Sequence, residues 1–141
     1  MSTVPDLPAT ILRDARTIAV LGMKGDDQPE APAHNVPAYL QAQGYRVVPV
    51  SPKLAGRGYP GAVASLSELT EPPDVVEVFR RPEAIDGHAD ELLALKPKYV
   101  WFQLGIRNDA VARRLEEAGI RVVQDRCMFR DHRELREAGE L

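Results

Sequence analysis

Five short runs of mostly β-branched and aromatic residues constrain this chain more than any other feature: 17–22 (TIAVLG), 45–50 (YRVVPV), 74–79 (DVVEVF), 98–103 (KYVWFQ) and 120–124 (IRVVQ). None alternates strictly between apolar and polar residues, as a strand with one wet face would. Nearly continuous Val/Ile runs suit parallel strands covered on both faces. Helical patterns fill the gaps. Asn35 is placed to cap a helix with Pro37 in its first turn, Val36, Tyr39 and Leu40 on one face, and Gly44 at its end. Pro82 opens a second, with Ile85, Ala89, Leu92 and Leu93 inward and Lys96-Pro97 as its stop. Asn108 caps a third, with Val111, Leu115 and Ala118 inward and Gly119 just past its end. Further helices are expected over about residues 7–16 and 131–138. The stretch 51–73, with Gly56, Gly58, Pro60 and Gly61, reads as loop with at most one turn near 65–69.

Strands alternating with helices give an α/β fold with right-handed crossovers. The expectation is a single doubly wound, Rossmann-like domain. Its five-stranded parallel sheet takes the order 3-2-1-4-5, with the first strand central and helices on both faces. A length of 141 residues suits one domain. Eighteen basic against 21 acidic residues, a net charge of −3, argue against a nucleic-acid partner. One cysteine, Cys127, forbids an internal disulfide and any multi-cysteine zinc site, and no histidine spacing offers a metal site. No apolar run is long enough to span a membrane, and no signal peptide is visible, so a cytoplasmic location is expected.

In open parallel sheets ligands bind beyond the carboxyl ends of the strands, where the strand order reverses. In the expected order that point lies beside strands one and four. The first loop, 22–34 (GMKGDDQPEAPAH), is long for a strand-to-helix turn, and unusual length points to a functional role. Gly22 would let the backbone approach a phosphate, and the helix capped by Asn35 would aim free N–H groups into the same space. His34, just before that helix, is the one histidine expected to reach a ligand. His88 reads as a surface residue. The loop is neither Gly-x-Gly-x-x-Gly nor a Walker P-loop. The second strand ends Val50-Ser51-Pro52-Lys53, without the acid that would bind a ribose 2′-hydroxyl in an NAD site. A lysine there suits a ribose bearing an extra phosphate, as in NADP or coenzyme A (CoA).

The ordered segments 18–22, 36–40, 44–52, 74–82, 100–106 and 123–127 resemble the stand-alone bacterial and archaeal CoA-binding proteins. Their domain is similar to the N-terminal CoA-binding domain of succinyl-CoA synthetase alpha subunits. The resemblance covers about residues 17–130 and implies a ligand, CoA or an acyl-CoA. It implies that Gly22, Met23 and Lys24 begin the diphosphate loop, and that Pro49, Val50, Ser51, Pro52 and Lys53 line the adenosine, with Lys53 near the 3′-phosphate. Phe79, Arg80 and Pro82 would flank the pantetheine, and Gln103, Gly105 and Ile106 would form the opposite wall. Two departures stand out: Met23-Lys24 where the family often has Ser or Thr, and Ser51 where many members have Asn.

No catalytic residue is expected. Glu77 interrupts an apolar strand; its alternatives are a base of raised pKa or, the preferred one, an acid paired with Arg80, Arg81 or a backbone amide. Cys127 is expected to be buried and inert. The synthetase's phosphorylated histidine sits on a second domain, and this chain offers no room for one, so a binding module is expected rather than a ligase. Two other readings stay open: a small NADP-dependent redox protein or enzyme, and a regulatory module with a vestigial pocket. The partners are then a small molecule, with a homodimer or an unknown protein partner left open.

Overall fold

The computed structural model describes all residues, Met1–Leu141. Strands β1 (Thr17–Leu21), β2 (Arg46–Val50), β3 (Val75–Val78), β4 (Tyr99–Gln103) and β5 (Arg121–Arg126) correspond to the five apolar runs. They form one parallel sheet in the order β2-β1-β3-β4-β5. The expected fold class is present, but the expected place of one strand is not. The 74–79 run does not lie outside β2; β3 pairs directly with β1, so β1 is not central. The position beyond β2 is held by a single parallel bridge between Val63 and Val50. With that bridge counted as the third strand, the 3-2-1-4-5 pattern holds, and β3 takes fourth place. The misplacement has a simple source: one bridging residue has no periodicity for a sequence reading to detect.

Alternation along the strands divides the core in two. Ile18, Val20, Val75, Tyr99, Trp101 and Val123 face one side, covered by α1 (Asp6–Asp14), α2 (Pro32–Ala42) and α7 (Met128–Glu137). Ala19, Leu21, Val50, Val76, Val78, Val100 and Phe102 face the other. That side is covered by α4 (Pro82–Ile85), α5 (Ala89–Leu95), α6 (Asp109–Glu117) and a 3-10 turn at Leu66–Glu68. Trp101 and Phe102, adjacent in β4, point to opposite faces and are both fully buried. Burial of this kind contributes about 1.5–3 kcal/mol per large apolar side chain.

Local signals explain most element ends. Asn108 caps α6, its side chain accepting from Val111 N at 3.0 Å, and Gly119 follows with φ +88°. Lys96 ends α5 in the left-handed conformation. Asn35, by contrast, caps nothing. Helix α2 begins at Pro32, whose fixed φ and missing N–H suit a first turn, and Asn35 lies inside it with its amide on Glu30 O at 3.2 Å. The helix expected from Pro82 is broken into α4, a 3-10 turn at Asp86–His88, and α5, because Gly87 weakens its middle. A short helix unforeseen in the loop, α3 (Pro52–Gly56), starts at Ser51, whose hydroxyl accepts from Leu54 N at 3.3 Å.

Candidate functional site

The strand order reverses between β1 and β3, and a cavity of about 550 Å³ opens there beyond their carboxyl ends. Its floor is made by Leu21, Val50 and Phe79. The loop after β1 supplies Gly22, Met23, Lys24 and Gly25; the turn after β2 supplies Ser51, Pro52, Lys53, Leu54 and Arg57. Gly22 has φ +87°, and a Cβ there would collide with the Phe79 carbonyl oxygen. The same backbone pinch that joins β1 to β3 therefore demands glycine in the cavity lining. Met23 is buried among Val36, Leu40 and Leu54 and anchors the loop from below.

Four cations line the cavity: Lys24, Lys53, Arg57 and Arg80. Its two acids are both engaged, Asp27 with Arg57 at 3.6 Å and Glu91 with His88 Nδ1 at 2.7 Å. Lys24, Lys53 and Arg80 have no carboxylate partner. In a chain of net charge −3, this concentrates unneutralised positive charge at one mouth, the condition for attracting a polyanion. The β2 end carries no acid: Ser51 is spent as the α3 cap, and Lys53 and Arg57 follow.

Of the residues singled out in the sequence, Gly22, Met23, Lys24, Val50, Ser51, Pro52, Lys53, Phe79 and Arg80 converge on this cavity. Seven others lie outside its lining. Pro49 is buried in β2, and Pro82 opens α4 with its carbonyl accepting from Asn108 Nδ2 at 3.1 Å. Gln103 is buried and accepts from Met128 N at 3.4 Å; Gly105 N donates to Asp125 Oδ1 at 2.6 Å, and Ile106 packs on the second core. These three sit with β5 because β3 separates β4 from β1, a distance of two strand spacings or roughly 10 Å. His34 turns to Asp26, Nε2 to Oδ1 at 3.0 Å, and Asn35 follows it within α2.

The cavity also gathers Asp27, Arg57, Ala64, Ser65, Gly87 and Glu91, and it is His88, expected on the surface, rather than His34 that lines it. Asp27 comes with the loop after β1, and the others follow the chain breaks at 56–61 and at Gly87. A glycine within an apparently helical pattern was the available signal that His88 leaves the helix face.

Three reactive groups lie elsewhere. Glu77 is fully buried in β3, level with Val20 and Trp101, and neither carboxylate oxygen has a hydrogen-bond partner. The expected pairing with Arg80, Arg81 or an amide is thus absent, and burial pushes its carboxyl up to about 8. Its side chain follows the strand's alternation into the first core, whereas Arg80 and Arg81 lie beyond the strand end and are exposed. Cys127 is half-buried at the start of α7, packed on the first core and outside the cavity. His132 is buried, bonded through Nδ1 to the Tyr39 hydroxyl at 2.9 Å, and burial lowers its pKa. No helix is long and apolar enough to cross a membrane.

Known proteins share the sequence pattern and the fold. Protein YneT of Bacillus subtilis (strain 168) is 36% identical over 118 residues, covering 84% of this chain and 86% of YneT. The structure of cell-free ID.343 from Thermus thermophilus is 51% identical with a TM-score of 0.83, over 89% of this chain and 94% of that one. A hypothetical protein from Pyrococcus horikoshii OT3 is 29% identical with a TM-score of 0.78, over 94% of each chain. The model of the CoA binding domain family matches residues 16–133, nearly all of the sheet and its helices. The chain belongs to the CoA binding domain family.

Proposed function

We propose that this protein binds coenzyme A or an acyl-CoA in the cavity at the β1–β3 switch point, as a binding module without catalysis of its own. The observation that carries this reading is the set of cations without carboxylate partners around an acid-free β2 end. CoA brings a diphosphate and a separate 3′-phosphate, and the cavity offers positive charge in two places. Lys24, on the glycine loop, is assigned to the diphosphate, and Lys53 with Arg57 to the 3′-phosphate of a nucleoside lying along Val50–Lys53. Arg80 and Phe79 then border the departing pantetheine. Family membership supports the same ligand class.

Calorimetric titration with CoA, dephospho-CoA, NAD and NADPH tests the reading. CoA is expected to bind tightest, with dephospho-CoA weaker by about tenfold or more, since a charge-assisted hydrogen bond is worth about 1.5–3 kcal/mol. Equal affinity for all four, or no binding of CoA, overturns it. NADPH binding that CoA fails to displace turns the site into one for a 2′-phosphorylated dinucleotide.

A further inference from the structure

The cavity is chemically lopsided. Its cations come from the β1 loop, the α3 turn and the end of β3, while the wall made by His88 and Glu91 carries a carboxylate. The His88–Glu91 contact, 2.7 Å between Nδ1 and Oε1, fixes the chemistry of that wall. A carboxylate oxygen accepts here and Nδ1 donates; in the tautomer that carries its proton on Nδ1, Nε2 is left as an acceptor. Both side chains are 23% exposed, and this contact is the one hydrogen bond each side chain makes within the chain. The wall therefore offers the remaining carboxylate oxygen of Glu91 as an acceptor, joined in that tautomer by imidazole Nε2. A phosphate is repelled by such a wall; a group carrying N–H donors is held by it.

Resting on the CoA-binding reading, we infer that His88 and Glu91 recognise the base of the ligand through its exocyclic amine and select adenine over a 6-oxo purine. The placement favours the base over the other neutral end of CoA, the pantetheine. In doubly wound sheets the ribose of the adenosine half lies at the end of β2. Ala64 and Ser65, on the same cavity, directly follow Val63, which bridges to β2. The 3-10 turn starting at Leu66 packs on α5, the helix that carries Glu91. The acceptor wall thus adjoins the β2 side of the cavity.

The test compares CoA with its deamino analogue, in which hypoxanthine replaces adenine, by calorimetric titration of the wild type, Glu91→Gln and His88→Ala. The two ligands match in size and phosphate charge and differ at the amine. The wild type is expected to prefer CoA by about tenfold or more, the effect of leaving a site's polar groups unmatched. Each variant, with unliganded thermal stability near wild type, is expected to bring the two affinities to within about threefold by losing CoA affinity. Wild type that binds both ligands equally, or a preference that persists in both variants, overturns the inference and leaves the CoA-binding reading standing. Wild type that binds neither ligand overturns both.

Discussion

Replacing Glu77 by glutamine isolates a single buried charge. In the folded chain both oxygens lack partners and the carboxyl titrates near 8, against 4.5 when exposed. Between these values the unfolded chain has released the proton while the folded chain keeps it. Stability therefore falls as pH rises across that window; the penalty is absent below about 4.5 and complete above about 8. One pKa unit is worth about 1.4 kcal/mol, so at pH 7 the penalty is about 3 kcal/mol. Glutamine keeps the shape of the protonated acid, with an amide N–H2 in place of its O–H, and has nothing to release. Relative to wild type, Glu77→Gln should gain about 3 kcal/mol between pH 4.5 and pH 7, a relative rise in Tm of roughly 6–12 °C. Urea denaturation at half-unit steps from pH 4.5 to 8 reads the difference directly, and subtracting the two curves removes every other titrating group. Curves that stay parallel across the range would refute the account of Glu77 as an unpartnered, desolvated acid.

Lys53→Glu should weaken CoA more than dephospho-CoA, shrinking their ratio by about tenfold; calorimetry that finds the ratio unchanged removes Lys53 from the 3′-phosphate. Gly22→Ala should cost more than about 1–3 kcal/mol in urea denaturation, from a positive φ and a Cβ driven against the Phe79 carbonyl. His132 has a lowered pKa, so the unfolded chain binds its proton first, and stability is lost as pH falls below about 6.5. His132→Gln should flatten that acid limb, as judged by denaturation midpoints between pH 5 and 7.

Helix ends were readable where one residue supplies the whole mechanism, as Asn108 and Gly119 do for α6. They were misread where two signals compete: Pro32 outranks Asn35 because a proline at the first position needs no partner for a missing N–H. The strand-borne half of the cavity was readable too, since Gly22, Val50–Lys53 and Phe79–Arg80 sit at strand ends that the apolar runs themselves mark. The half built from interrupted helix and loop was not: His88 and Arg57 reach the cavity only because the chain breaks at Gly87 and after Gly56.

Five parallel strands with helices on both faces are written in the local pattern, because unalternated apolar runs record cover on both sides; β1, β3 and β4 are buried nearly throughout, and the edge strands β2 and β5 less so. The sequence also determined the absence of an acid after β2, which narrows the class of nucleotide. Three features arise only when distant segments meet: β3 lies against β1, His88 joins Glu91 on a cavity wall, and Glu77 faces a core holding no partner for it. Pairing among similar valine-rich strands rests on contacts between residues far apart in the chain. Local pattern is blind to that choice, and moving one strand across the sheet changes which loops share a rim.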